Sequence, residues 1–233
     1  MTTDRLRWLL LAAAAVLLVV HAFTYNFITD DAYISFVYAR NLAEHGELTF
    51  NPGWYIEGYT NFLWTVLLGL GMVVHIPPEL TAKVLGAAFA VVTLFCAFRL
   101  VERGLGRPSP WAALPAFLLA ESSGFACWTS GGLETQLFTM LVVIALDGLV
   151  AAEDPADRRA LPRAGLALAL AAMTRPEGLF VAAVFGGVRL VSNFLHRRER
   201  RFVGRPELLG AASFLVVWAP WFAWRYWYYG YPF

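Results

Sequence analysis

Residues 5–25 read RLRWLLLAAAAVLLVVHAFTY: two arginines in the first three positions, then eighteen residues without Asp, Glu, Lys or Arg. A transmembrane helix needs about 20 mostly apolar residues, because the hydrocarbon layer is about 30 Å thick. The run is basic at its head and lacks a small-residue cleavage pattern, and further apolar runs follow it. It reads as an uncleaved signal anchor over 6–25. Six more stretches repeat the theme, at 81–100, 111–128, 133–152, 161–174, 178–195 and 207–227. A shorter one, 62–76, stops at His75-Ile76-Pro77-Pro78.

The composition agrees with these runs. Of 233 residues, 59% are apolar and only 15% are charged, where soluble domains carry about 25% charge. So few ionic groups cannot furnish a water-soluble surface, which excludes soluble globular, disordered and nucleic-acid-binding classes. The net charge of +1 names no partner. Cys96 and Cys127 lie in apolar contexts without metal-type spacing, and read as small buried hydrophobes. The four histidines are scattered and suggest no metal site.

Distribution of charge sets the orientation, since Lys and Arg are retained in cytoplasmic loops. With Arg5 and Arg7 inside and 62–76 not crossing, the groups Arg99/Arg103/Arg107, Arg158/Arg159/Arg163 and Arg197/Arg198/Arg200/Arg201/Arg205 all fall inside. That is thirteen of the 18 basic residues. A full crossing at 62–76 would put all of these but Arg5 and Arg7 outside. Seven crossings with a re-entrant or interfacial 62–76 are therefore expected, with Arg189 left within a span, where its long stem can snorkel. Most turn-rich segments and nine of the 17 acids then lie outside. The expected class is an all-α integral membrane protein with about seven transmembrane helices. Its external loop, 26–80, holds an amphipathic juxtamembrane helix.

That helix is expected over 32–45, closed by Gly46. Ala32, Phe36, Ala39 and Ala43 form an apolar side, and Arg40 and Glu44 a polar one. Ahead of it stands Thr29-Asp30-Asp31. One reading is structural: Thr29 or Asp30 caps the helix, and acids in the first turn complement its dipole. The other is chemical. One Asp, Asp30 by preference, abstracts a hydroxyl proton, its basicity raised by its neighbour and by partial burial, or the pair binds a divalent cation if a third ligand converges.

The surrounding motifs are Asp30-Asp31-Ala32-Tyr33-Ile34-Ser35, Tyr38-Ala39-Arg40-Asn41-Leu42, Phe50-Asn51-Pro52-Gly53, and Glu57-Gly58-Tyr59-Thr60-Asn61-Phe62-Leu63-Trp64. Later come Ser130-Gly131-Gly132-Leu133-Glu134-Thr135, Thr174-Arg175-Pro176-Glu177-Gly178 and Tyr228-Tyr229-Gly230-Tyr231-Pro232. Together they resemble the amino-terminal portion of bacterial GT-C membrane glycosyltransferases. The likeness is nearest to the terminal arabinofuranosyltransferases of mycobacterial cell walls. More distantly, the layout is similar to aminoarabinose transferases and protein O-mannosyltransferases. The resemblance covers 1–233 as one transmembrane domain, incomplete at its carboxyl end, since the family continues with further spans.

The resemblance implies a multi-pass enzyme of the bacterial cytoplasmic membrane, active outside the cytoplasm. It would move a sugar from a polyprenyl-phosphate donor to an extracytoplasmic acceptor. An Asp of the first external loop deprotonates the acceptor in such families, and this maps to Asp30 or Asp31. Glu57 matches only the first position of a Glu-Lys-Pro-Pro element of the distant relatives. Arg175 stands where they carry a donor-phosphate lysine, and Arg offers phosphate a bidentate fork. Arg175 also reads as an interfacial anchor.

Glu134 is a polar site residue or a first-turn acid. Glu57, Tyr59 and Asn61 are further substrate-binding candidates. Trp54, Tyr55, Tyr59 and Trp64 can stack on sugar rings, although interfacial Trp and Tyr commonly form a belt. Gly131 and Gly132 read as close-packing positions. No phosphate-binding Gly loop, Ser/His/Asp arrangement or internal repeat is visible, and no nucleotide cofactor is expected. Two other classes remain as alternatives. A transporter would place ionisable groups near the bilayer midplane. A catalytically silent scaffold would retain the fold of such enzymes without the chemistry.

Overall fold

A computed structural model describes residues 3–154, 156–196 and 201–231. Arg197, Arg198 and Arg200 of the basic segment, and Pro232 of the Tyr228–Pro232 turn, lie outside the described residues. Among the described residues the chain is all helical, without strands: α1 Thr3–Tyr25, α2 Asp30–His45, α3 Phe62–Val73, α4 Pro78–Leu105, a 3-10 turn Pro110–Ala113, α5 Leu114–Glu121, α6 Ser123–Ser130, α7 Thr135–Ala151, α8 Ala160–Thr174, α9 Glu177–Leu195 and α10 Arg205–Tyr229.

Among the described residues four helices are long and apolar enough to cross a bilayer: α1, α4, α9 and α10. Much of their apolar surface faces outward. None of the most apolar 18-residue window of α10 is buried, and Val16, Val20 and Phe23 of α1 stand exposed. Water would oppose such surfaces, whereas lipid accepts them. The other expected crossings fall on shorter elements. At 1.5 Å per residue, the 17 residues of α7 and the 15 of α8 span only about 26 and 23 Å. The 12 residues of α3 span about 18 Å, short of the hydrocarbon thickness.

The expected single crossing at 111–128 is divided. Ser122 is extended, with φ −66 and ψ 112, and its hydroxyl accepts from the Phe125 amide as the cap of α6. Within the polar stretch 121–124, Glu-Ser-Ser-Gly, a serine able to offer the backbone a local partner stops the helix.

The chain forms two compact units, 1–140 and 141–233, and the boundary falls inside α7. In the first unit, Leu11, Ala14 and Leu18 of α1 pack with Ala90, Leu94 and Phe98 of α4, and with alanines 112, 113, 116, 120 and 126. The small residues let helix backbones approach closely, as dispersion packing in lipid requires. Helices α1 and α4 run antiparallel. Arg7 pairs with Glu102 at one end, while Lys83 Nζ donates to Asn26 Oδ1 at 2.7 Å at the other. Arg5, Arg7, Arg99, Arg103 and Arg107 thus share one end, as the charge reading anticipated.

In the second unit α8 packs against α9 and α10. Gly165 and Gly210 set the α8–α10 approach: a Cβ on Gly165 would lie 2.1 Å from the Gly210 carbonyl oxygen. Arg189 of α9 reaches carboxylates near the ends of α7 and α10. Its guanidinium is held by Glu153 at 2.8 Å and Glu207 at 3.0 Å, and Asn193 donates to the same Glu207 oxygen at 2.9 Å. Both cysteines are free thiols.

Candidate functional site

Helix α2 carries the candidate carboxylates at its head. Thr29 takes the N-cap position with extended backbone but makes no side-chain cap bond, and Asp30 and Asp31 form the first turn. Both are exposed. Neither carboxylate has a hydrogen bond or ion pair among the described residues. The partial burial expected of the pair is therefore absent, and so is the capping bond. What remains of the structural reading is the favourable placement of two acids at the positive end of a helix dipole.

The rest of α2 is built to hold that head in place. Ala32, Ser35, Phe36, Tyr38, Ala39 and Asn41 are buried while Arg40 and Glu44 are exposed; Ala43, expected on the apolar side, is only half-buried, and Tyr33 and Ile34 are exposed. Gly46 closes the helix in the left-handed region. Asn41 anchors the following turn by donating to the carbonyls of Thr49 at 2.8 Å and Phe50 at 2.9 Å. Tyr38 anchors the next stretch: its hydroxyl donates to the Ile56 carbonyl at 2.9 Å and accepts from the Gly58 amide at 2.8 Å. Burial pushes the Tyr38 phenol above its usual range, outweighing the Gly58 amide, which acts the other way.

Beneath the head of α2 lies a buried polar knot. The Asn61 amide group donates to Glu134 Oε2 at 2.7 Å and to Ser35 Oγ at 3.0 Å. Its Oδ1 accepts from Ser35 Oγ at 3.1 Å and from Thr65 Oγ1 at 3.0 Å. Asn61 is 6% exposed and Glu134 5%. A carboxylate so buried is costly unless donors surround it, which ties the loop before α3 to the loop before α7. Two backbone links reinforce the tie. Trp64 Nε1 donates to the Gly132 carbonyl at 3.1 Å, and the Thr29 amide donates to the Gly131 carbonyl at 3.1 Å. Gly132 has φ +89, and a Cβ there would sit 3.0 Å from Ala32 Cβ. The close packing expected of the Gly pair is realised against the residue that follows Asp31.

The candidates thus divide. Asn61 and Glu134 come together, but in the buried knot. Tyr59 is buried with its ring 4.6 Å from that of Tyr38, and Trp64 is fully buried, so neither ring is open to stack on a sugar. Trp54 and Tyr55 are exposed. Glu57 is half-buried and near enough to Tyr38 for its charge to act on the phenol. Arg175 belongs to the second unit, where it is half-buried and closes α8 in an extended conformation. Its carbonyl accepts from the Gly178 amide at 2.9 Å. Among the described residues no three His, Cys, Asp or Glu side chains converge as a metal site, so the Asp pair gains no third ligand there.

Sequence reasoning missed Ser35, Tyr38 and Thr65 as members of the scaffold. Asn61 and Thr65 at i, i+4 on an otherwise apolar helix start were the signal for the knot. Comparison with known protein families, with curated proteins and with solved structures finds no match for this chain.

Proposed function

We propose that the chain is a GT-C-type membrane glycosyltransferase of the bacterial cytoplasmic membrane. It transfers a sugar from a polyprenyl-phosphate donor to an acceptor of the cell envelope. In this reading the Arg7 end of α1 faces the cytoplasm, the chain makes seven crossings with α3 re-entrant, and the head of α2 faces outward.

The observation that carries the reading is the pair of unpartnered carboxylates at the head of a helix fixed from below by a buried polar knot. A rigid scaffold is what a catalytic acceptor for a proton requires. Carboxylate oxygens with no donor among the described residues are available to an acceptor hydroxyl. Asp30 takes the hydroxyl proton, with Asp31 or Glu57 assisting; the oxygen attacks the anomeric carbon with inversion, and polyprenyl phosphate leaves. Arg175 is the candidate for stabilising that phosphate, on the strength of the resemblance and of its fork. Asn61 and Glu134 act in this account through position alone.

A transporter fits less well. Among the described residues of the second unit, Arg163 pairs with Asp147 and Asp157, and the cluster of Arg189 with Glu153 and Glu207 includes the third residue of α10. That sits at a helix end and away from a midplane pathway. The test of the enzymatic reading is transfer from labelled polyprenyl-phosphate sugars by membranes carrying the chain, compared with its Asp30→Asn and Asp31→Asn variants.

A further inference from the structure

The Arg7 end of the first unit holds a cavity of about 360 Å³ lined by Arg7, Arg99, Glu102, Arg103, Gly106, Arg107 and Pro108. Four arginines and one glutamate thus line it, and Arg103 is engaged by a partner of its own. Glu102 is 8% exposed and is shared between Arg7 and Arg99, the latter at 3.5 Å. Asp4 adds one more carboxylate on Arg7 at 2.6 Å, itself well exposed. Arg7 and Arg99 share the one lining carboxylate, and Arg107 has no hydrogen bond or ion pair among the described residues, so its charge is left over. The fold spends backbone geometry on this arrangement. Gly106 ends α4 with φ +66, which turns the chain back and presents Arg107 to the cavity on which Arg99 and Arg103 of α4 already open.

Concentrated like charge in a cavity is unfavourable unless an anion joins it. Guanidinium forks match phosphate oxygens two at a time. Position selects the source of that phosphate. The cavity sits at the ends of two membrane-length helices, α1 and α4. Beside it are Trp8, next to Arg7 in sequence and 39% exposed, and Trp111, 76% exposed just after Pro108. Exposed tryptophans mark the headgroup level of a bilayer, and basic pockets between helices at that level take lipid headgroups. We infer that this cavity binds the phosphate of an anionic membrane phospholipid, with Arg99, Arg103 and Arg107 as its contacts and the Arg7–Glu102 pair as its wall. The site is independent of the carboxylates at the head of α2 and of any activity there.

The experiment is thermal unfolding of the full chain in a neutral detergent, titrated separately with short-chain phosphatidylglycerol, short-chain phosphatidylcholine and inorganic phosphate. Phosphatidylglycerol should raise Tm saturably, and phosphatidylcholine should not. In the Arg103→Gln/Arg107→Gln variant the apparent affinity should fall by roughly tenfold or more, the scale of one lost charge-assisted bidentate contact. Because that substitution can alter stability by itself, the shift is read relative to each variant's own starting Tm. Arg158→Gln/Arg159→Gln, which removes two charges elsewhere, should leave the shift intact. Equal shifts with both lipids, or an undiminished shift in the Arg103/Arg107 variant, overturn the proposal. A response to inorganic phosphate alone also overturns it, in favour of a soluble anion.

Discussion

Asn61 and Glu134 are joined by a 2.7 Å hydrogen bond across 73 residues of sequence, with both side chains buried. The bond closes the first external segment onto the turn that starts α7. It fixes where Asp30 and Asp31 stand, because the same turn receives the Thr29 amide and the Trp64 indole.

Breaking that bond should cost more than removing both partners. Asn61→Ala leaves the Glu134 carboxylate short of one donor, and hydrogen bonds to charged groups contribute about 1.5–3 kcal/mol. A double-mutant cycle of Asn61→Ala and Glu134→Ala, read by denaturant unfolding in detergent, should show a coupling of about that size. Additive losses would mean that the two residues do not act as a unit.

Gly132→Ala introduces a Cβ at φ +89 that meets Ala32 at 3.0 Å. A left-handed non-glycine residue costs about 1–2 kcal/mol before any clash. The head of α2 should loosen, seen as faster amide exchange over residues 29–36, while α10 exchange stays unchanged. Unaltered exchange at 29–36 would contradict the docking of α2 on this turn.

In the second unit, Gly165→Ala pushes a methyl to 2.1 Å from the Gly210 carbonyl oxygen, whereas Gly186→Ala on α9 meets nothing within 4 Å. The first should lower stability by about 1–3 kcal/mol, the usual cost of overpacking. The second should be neutral or slightly stabilising, as Ala is the better helix former. Similar Tm values for both variants would rule out close α8–α10 packing.

Tyr38 gives the external segment an alkaline limit. Its phenol is raised by burial, so the folded form holds the proton more tightly than the unfolded chain. The resulting stability is complete below the unfolded phenol's range near pH 10 and declines as pH climbs from there through the folded value. Tyr38→Phe should remove this component of the alkaline decline. It should also cost about 1 kcal/mol at neutral pH, since the Gly58 amide loses its acceptor. An identical alkaline profile in the variant would exclude Tyr38 as its source.

Much of this architecture was legible because apolar runs and proline or glycine stops are local signals. The bounds of α2, α8, α9 and α10 follow their sequence patterns within two residues, and the shared end of Arg7 and Arg99–Arg107 follows from charge alone. The break at Ser122 was half legible: Ser122-Ser123-Gly124 reads as a turn-rich segment, yet the apolar runs on either side carry a single span through it. Not legible was the fate of Tyr59 and Trp64, whose exposed-looking motif folds inward on Tyr38 and Gly132. Arg189 read as a lone charge because its partners Glu153 and Glu207 come from segments 36 and 18 residues away. Partners at such distances exist only once helices have packed.

The central claim is that the unpartnered carboxylates at the head of α2 perform sugar transfer. The most direct test measures release of polyprenyl phosphate from a panel of labelled polyprenyl-phosphate sugars, using purified wild type, Asp30→Asn and Asp31→Asn in lipid nanodiscs. Both side chains are exposed and make no hydrogen bond or ion pair among the described residues, so the variants should unfold within about 0.5 kcal/mol of wild type. The account predicts transfer by the wild type and a loss of about 100-fold or more in at least one variant, as expected for a general base. Wild-type rates in both variants, or no transfer by the wild type from any donor, would contradict it.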